Sequence, residues 1–280
     1  MNRVLIAGCG YLGTATAKLF LSQGWNVEGW TRTGSTASES SLPFALRAID
    51  LSLTAAVKAA PGEFDVVIHS ASTRGGEAAD YARVYQGGVE NLLERFPRSR
   101  LLFVSSTSVY AQSSGEWVDE SSPADPLHER GRILRETESL VLSHGGRVAR
   151  LAGIYGPERS ALLRRVLANE ASVDQKADRF VNQVHRDDAA SALFKISQLA
   201  DDGAQIWNVV DNEPLLLSEC YRWLARRLNR SLAGSEGATA PRKRGESNKR
   251  ISNARLRGQG WSPAYASFKE GMDQSVLPLA

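Results

Sequence analysis

Short, nearly unbroken apolar runs alternate with stretches in which apolar residues recur every three or four positions. Val4-Leu5-Ile6-Ala7 predicts a buried parallel strand, and Leu12, Ala15, Leu19 and Phe20 predict a helix that stops at Gly24. Further strands are expected at Trp25–Trp30, Ala45–Ile49, Asp65–His69 and Leu101–Val104. Between them, helical patterns cover 53–60, broken by Pro61-Gly62, and 77–96, broken at Pro97. This alternation of strand and helix predicts an α/β fold with a doubly wound parallel sheet. Farther along, Leu162, Leu163, Val166 and Leu167 share one face of a helix predicted over 161–170. Phe180–His185 reads as extended chain and 215–228 as an amphipathic helix.

The first strand runs into Gly8, Gly10 and Gly13, spaced G-x-G-x-x-G, and the first helix follows at once. Each glycine has a physical job in that setting. Gly8 allows a tight turn, Gly10 lets backbone N–H groups approach a diphosphate, and Gly13 lets the helix pack against the strand. The backbone N–H groups at the helix start, around Tyr11 and Leu12, then face the anion with the positive end of the helix dipole. The pattern therefore predicts a Rossmann-type dinucleotide site. In a doubly wound sheet ligands lie at the carboxyl ends of the strands, which places Gly10, Arg32, Asp50, Ala71 and Ser106 along one crevice. The second strand ends in Thr31-Arg32-Thr33 rather than in an acid, and Glu28 comes too early to hold a ribose. An arginine beside hydroxyls suits a 2′-phosphate, so the expected cofactor is NADP, with NAD as the other option. A surface arginine in a Ser/Gly-rich loop over 33–41 is the competing reading of Arg32. The expected domains are a dinucleotide-binding domain over 1–155, with 180–212 returning to its sheet, and a mainly substrate-binding lobe over 156–280.

Charge narrows the partners. The 280 residues carry 34 basic and 31 acidic side chains, a net charge of +3, too balanced to argue for nucleic acid. The dense basic run, Arg242-Lys243-Arg244 and then Lys249-Arg250, is either a solvated loop or a contact for an anionic substrate. Cys9 and Cys220 show no disulfide or metal spacing, which suits a reducing cytoplasm and predicts no metal site. With a strand expected almost from Met1, no signal peptide is expected, and no apolar run approaches membrane-spanning length. A cytoplasmic protein acting on a small-molecule substrate or effector is expected, with a homodimer left open.

Several further motifs together resemble the extended short-chain dehydrogenase/reductase superfamily, of the NAD(P)-dependent epimerase/dehydratase kind. They are the glycine loop, Asp50-Leu51, the stretch Asp65 to Ser72, and Ser105-Ser106-Thr107-Ser108-Val109-Tyr110. Arg150 to Pro157 matches R-x-x-x-x-Y-G-P, His185 to Ala190 matches V-x-D-D-x-A, and Gly260-Trp261-Ser262-Pro263 matches the terminal G-W-x-P. The resemblance covers essentially the whole chain and implies roles for particular residues. Asp50, Leu51, Ser70, Ala71, Ser72 and Ser105 would contact the cofactor. Tyr155, Asn182, His185 and Arg186 would lie near the substrate. Asp187 and Asp188 would start a helix, where carboxylates complement the dipole.

The match departs from the family at its chemical centre. The family carries Y-x-x-x-K after the fifth strand, and counting from Pro126 puts Arg130 at the tyrosine and Leu134 at the lysine, with Glu138 supporting the register. Tyr85 also replaces the first Asn of N-x-x-G-x-x-N-L. With Lys249 to Leu256, these departures resemble the atypical, YeeZ-like branch. Guanidinium does not deprotonate in proteins, so Arg130 cannot take the tyrosine's role. General acid–base catalysis is worth about 10²–10⁴-fold, so binding and chemistry separate here. Candidate replacements are Ser106 at the family's Ser/Thr position, Tyr110, and His128, an imidazole two residues before Arg130. Each has a bland alternative: a strand-end serine, a packed aromatic, a surface-loop histidine. Arg130 and Leu134, four apart on a helix, should both face the crevice, with Arg130 against a substrate carboxylate or phosphate. Two readings remain open: an oxidoreductase or epimerase with a non-standard acid, and a silent dinucleotide-binding redox sensor.

Overall fold

The computed structural model describes residues 1–35, 42–73, 75–173, 178–200, 205–232 and 247–279. The leading strand–helix alternation forms β1 (Arg3–Ala7), α1 (Tyr11–Ser22), β2 (Asn26–Thr31), β3 (Ala45–Ala48), α2 (Thr54–Lys58) and β4 (Val66–His69). The next helical stretch is continuous but not uniform. It starts as α3 (Ala78–Tyr81), widens into a π-helical segment (Ala82–Gly87) and resumes as α4 (Gly88–Arg95). There follow β5 (Arg100–Ser106), β6 (Glu116–Val118), α5 (Glu129–Ser143), β7 (Arg147–Leu151) and β8 (Gly153–Tyr155). The rest comprises α6 (Ala161–Leu167), β9 (Phe180–Val181), β10 (Gln183–His185), α7 (Arg186–Gln198), β11 (Ile206–Val209), β12 (Leu215–Leu216), α8 (Leu217–Arg227), β13 (Lys249–Ile251), α9 (Ala254–Gly258) and α10 (Phe268–Gly271). The helix expected over 161–170 stops three residues early, where Asn169 takes a left-handed conformation, φ 57°.

Seven strands form one parallel sheet in the order β11-β7-β5-β4-β1-β2-β3. The order reverses between β1 and β4, and at such a switch point the connections diverge to opposite faces and leave a crevice at the strands' carboxyl ends. The central strands β1, β4 and β7 are buried almost throughout, as a sheet covered on both faces requires. Their side chains belong to one large apolar core. A second, smaller core gathers Tyr155, Leu162, Val166, Tyr221, Leu224, Phe268 and Met272 between α6, α8 and α10. Of the small two-stranded pairings, β8 with β10 joins the cores, Tyr155 belonging to the second and Val184 to the first, while β9 with β12 lies in the second and β6 with β13 in the first. Cys9 and Cys220 are both buried and unpaired. Among the described residues no helix is long and apolar enough to cross a membrane, and no group of side chains could hold a metal ion.

Candidate functional site

The turn from β1 into α1 is shaped by what each glycine would meet with a side chain. Gly8 has φ +105°, and a Cβ on it would stand 2.1 Å from the backbone nitrogen of Ala71. A Cβ on Gly13 would come within 2.5 Å of the carbonyl oxygen of Gly8. A Cβ on Gly10 meets nothing within 4 Å, so this backbone borders open space. Gly10 caps α1 without a capping side chain, and the first turn holds no acid. The loop is pinned from both sides: Gly8 and Cys9 donate to the Trp30 carbonyl, and the Ser70 hydroxyl donates to the Gly8 carbonyl at 3.0 Å. Open space at Gly10 beside the N-terminus of α1 is the feature a diphosphate requires.

Tyr11 closes one side of this loop. Its hydroxyl donates to the Pro157 carbonyl at 2.9 Å, and the guanidinium groups of Arg159 and Arg186 each lie over its ring, 5.1 Å from its centre. Leu12 is buried in the core. Across the sheet edge, Arg32 is exposed just beyond β2, and Glu28 is occupied inside the protein by Trp30 Nε1 at 2.8 Å and Arg47 Nε at 2.7 Å. Asp50 accepts from both the N–H and the hydroxyl of Ser52. Burial pushes its carboxyl up, but these hydrogen bonds and the charges of Arg32 and Arg83 outweigh it and leave the pKa lowered. Arg32 and Asp50 therefore share one neighbourhood. Leu51 is buried beside them, its carbonyl held by Asn91 at 2.8 Å. Ala71 is half-buried and Ser72 is exposed beyond the end of β4.

The segment after β5 turns inward. Ser105 donates its hydroxyl to Glu138 at 2.6 Å in the core, so its side chain does not face the crevice as the expected cofactor contact would. Tyr110 is also a correction: it is 1% exposed, donates to Asn208 Oδ1 at 3.0 Å and accepts from Arg150 Nη1 at 2.8 Å. Both hydroxyls belong to a buried network centred on Glu138, which Arg150 grips through Nε at 3.0 Å and Nη2 at 2.6 Å. Buried polar groups this densely paired are structural, since their removal leaves a charge or a hydroxyl without a partner. Ser106 is half-buried at the end of β5, where its hydroxyl accepts from the Ser108 N–H at 3.1 Å. His128 precedes α5 as an exposed residue without a side-chain cap interaction.

The paired departures on α5 do not share a face toward the crevice. Leu134 is 4% exposed and packs into the main core, because its apolar side chain gains more from burial than from lining a polar cleft. Arg130 is half-buried, and its guanidinium lies 5.9 Å over the ring of Tyr81.

Most residues expected near substrate are tied up instead. Tyr155 sits in the second core, donates to the Ser267 carbonyl, and has its hydroxyl pKa driven strongly upward by burial and neighbouring acids. Asn182 spends both ends of its amide on β13, donating to the Lys249 carbonyl and accepting from the Ile251 N–H. His185 is fully buried and caps α7, its Nδ1 accepting from the Asp187 N–H at 3.2 Å, with Ser275 on Nε2. Burial and Arg186 lower its pKa against the pull of Asp187. Asp188 accepts from the Ala264 and Tyr265 N–H groups and fastens α7 to that loop; burial lifts its pKa to about 6. Arg186 ends at the glycine loop, beside Tyr11. Arg242, Lys243 and Arg244 lie outside the described residues, whereas Arg250 stacks between Trp117 and Phe180.

Sequence reasoning passed over Tyr85 as a functional candidate. It stands in the π-helical segment with its hydroxyl hydrogen-bonded to the Ser72 side chain. The signal was present, since Tyr85 is a departure from the resembled motif.

A model of the NAD dependent epimerase/dehydratase family matches residues 4–209. Protein YeeZ of Escherichia coli (strain K12) is 30% identical over 221 residues, covering 75% of this chain and 77% of YeeZ. A structure from Methylobacillus flagellatus, a candidate NAD-dependent epimerase/dehydratase, aligns at 28% identity and TM-score 0.78 over 97% of this chain and 96% of that one. The UDP-glucose 4-epimerase of Thermus thermophilus, in complex with NAD, aligns at 20% identity and TM-score 0.81 over 97% and 96% of the two chains. At that identity the likeness concerns the fold.

Proposed function

Because the chain belongs to the NAD-dependent epimerase/dehydratase family, on its YeeZ-like branch, we propose that it binds NADP in preference to NAD and acts as a cytoplasmic oxidoreductase or epimerase with acid–base residues outside the usual pair. The observation that carries the binding half is the open space at Gly10 between the two tight contacts at Gly8 and Gly13. Gly10, Tyr11, Leu12 and Gly13 would hold the diphosphate with backbone donors, and Asp50 with Leu51 the adenine end. Arg32, exposed within the electrostatic reach of Asp50, would meet a 2′-phosphate. The nicotinamide would supply or accept hydride, while the protein orients the substrate and manages its proton. A small anionic or sugar-nucleotide-like substrate fits the cations Arg130, Arg159 and Arg186 around the crevice; UDP-glucose 4-epimerases are among the structural neighbours.

Fluorescence titration with NADPH and NADH, followed by absorbance assays on a panel of sugar nucleotides and small carboxylates, tests this reading. A charge-assisted hydrogen bond is worth about 1.5–3 kcal/mol, so NADPH should bind roughly one to two decades tighter than NADH, and Arg32→Ala should erase the difference. Equal affinities would make Arg32 a loop residue only. A silent redox sensor is the second reading, supported by Leu134, which occupies the lysine position with a side chain sealed into the core. A panel that yields tight dinucleotide binding and no turnover would favour it.

A further inference from the structure

The tyrosine and lysine positions of α5 hold no proton donor, Tyr110 is buried in a structural network, and His128 faces solvent. A different phenol, Tyr85, packs at the edge of the main core, 9% exposed, with its hydroxyl turned toward the exposed Ser72. Tyr85 is carried by the π-helical segment Ala82–Gly87, and π turns redirect side chains and recur at functional sites. Its ring lies 6.0 Å from His69 and 6.2 Å from Phe103, which places it over β4 and β5. Its hydroxyl is hydrogen-bonded to the side chain of Ser72, an exposed residue just past the end of β4. The two residues before Ser72 abut the glycine loop: Ser70 donates to the Gly8 carbonyl, and Ala71 fills the place of a Gly8 side chain. The phenol thus stands one short loop away from the open cradle, on the side of β4 and β5. The adenine end is expected on the opposite side, where Arg32 and Asp50 lie.

We propose that Tyr85 is the proton donor and acceptor of this site, replacing the tyrosine absent from α5, with Arg130 as its supporting cation across Tyr81. The proposal rests on the dinucleotide-dependent reading above. In the reductive direction, reduced nicotinamide dinucleotide would supply a hydride with its electron pair to a substrate carbonyl carbon. The carbonyl oxygen takes the proton of Tyr85, an alcohol forms, and the tyrosinate regains a proton from water through the Ser72 hydroxyl. The oxidative direction reverses each transfer. Tyr81 bridges the group: its ring is 5.0 Å from that of Tyr85 and carries the Arg130 guanidinium on its other contact, at 5.9 Å. Burial raises the pKa of the Tyr85 hydroxyl, so the phenol keeps its proton at rest; the Arg130 cation beyond Tyr81 acts in the opposite sense, as the missing lysine would. The titratable or charged groups facing Tyr85 are Tyr81 from α3, His69 from β4 and, through Tyr81, Arg130 from α5. His69 is held neutral by burial, with a pKa of about 4.

The test needs no substrate. Tyrosine ionisation is followed by NMR of ring-labelled protein, with saturating oxidised or reduced dinucleotide, in wild type, Tyr85→Phe and Tyr81→Phe. The oxidised ring carries a positive charge. If Tyr85 lies beside it, one tyrosine should ionise about one pH unit or more lower with the oxidised form than with the reduced form. That step should vanish in Tyr85→Phe, persist in Tyr81→Phe, and move in Ser72→Ala. Tyr85→Phe keeps the ring and should bind dinucleotide within about twofold of wild type, because no diphosphate contact is lost. A shifted step that survives in Tyr85→Phe, or none in a wild type that binds dinucleotide, overturns the proposal. Should Tyr85→Phe fail to fold, an unmoved step in Ser72→Ala overturns it instead. Calorimetry on the same samples separates the two ideas: a wild type that binds no dinucleotide brings down the functional reading and the proposal with it.

Discussion

Two helix starts in this molecule have diverged in opposite ways. At the start of α1 every position is constrained: Gly8 and Gly13 have no room for a side chain, and Gly10 has room that stays open. At the start of α5 the positions resembling a catalytic pair hold Arg130 and Leu134, one stacked on Tyr81 and one drawn into the core. Yet α5 itself is firmly held, since Glu138 one turn farther on is clamped by Arg150. The difference teaches that the glycine loop is set by local sterics, whereas α5 is anchored by long-range polar contacts whatever residues stand at its start.

The sharpest break in the comparison is Gly10→Val. A branched side chain would fill the open cradle without touching protein, so dinucleotide affinity should fall by about 100-fold or more while the melting temperature changes little; calorimetry and a melt decide it. Unchanged affinity would mean that the open space is not a diphosphate site.

On the other helix the large effect should be on stability. Glu138→Ala leaves Arg150 charged and buried without its carboxylate, which costs about 3–5 kcal/mol by denaturant unfolding. A loss under about 1 kcal/mol would show that α5 is held by its apolar face alone.

Beneath the glycine-loop side, His69 donates from Nε2 to the Val84 carbonyl, and burial lowers its pKa from 6.5 to about 4. Between those pH values the unfolded chain binds a proton that the folded chain refuses. Stability should therefore fall as the pH drops through that window, by up to about 3 kcal/mol for this group. Melting curves of His69→Gln should lack that part of the slope, and parallel curves for the two proteins would contradict it.

The smallest expected effect returns to Arg130. A permanent cation near the nicotinamide disfavours the positively charged oxidised ring, so wild type should bind the reduced cofactor more tightly. Arg130→Leu should narrow the ratio by roughly threefold to tenfold, about 0.7–1.4 kcal/mol at a half-buried, screened site. An unchanged ratio at matched salt would place the guanidinium too far from the ring to matter.

The parallel sheet and the glycine loop were legible in the chain because they rest on local rules. Apolar runs with turn residues at their ends mark strands, and three glycines at fixed spacing answer to backbone geometry within a few residues. Even Gly10 could be distinguished from its neighbours in kind, since only one of the three jobs calls for empty space. The orientation of side chains along the crevice was not legible. Tyr110 faces the core because Arg150 and Asn208, 40 and 98 positions away, satisfy its hydroxyl there. Tyr155, Asn182 and His185 read as pocket residues, but their polar groups are consumed by Ser267, β13 and Ser275, partners that only the assembled lobe brings near. Tyr85 is the reverse case: its position looked like a lapse in a motif, and a π-helical segment packs its ring against the main core while its hydroxyl reaches the Ser72 side chain. Backbone course is decided by neighbours in sequence. Whether a hydroxyl faces a ligand or the interior is decided by which long-range partner pairs it first, because a buried polar group left unpaired costs more than any local preference can offset.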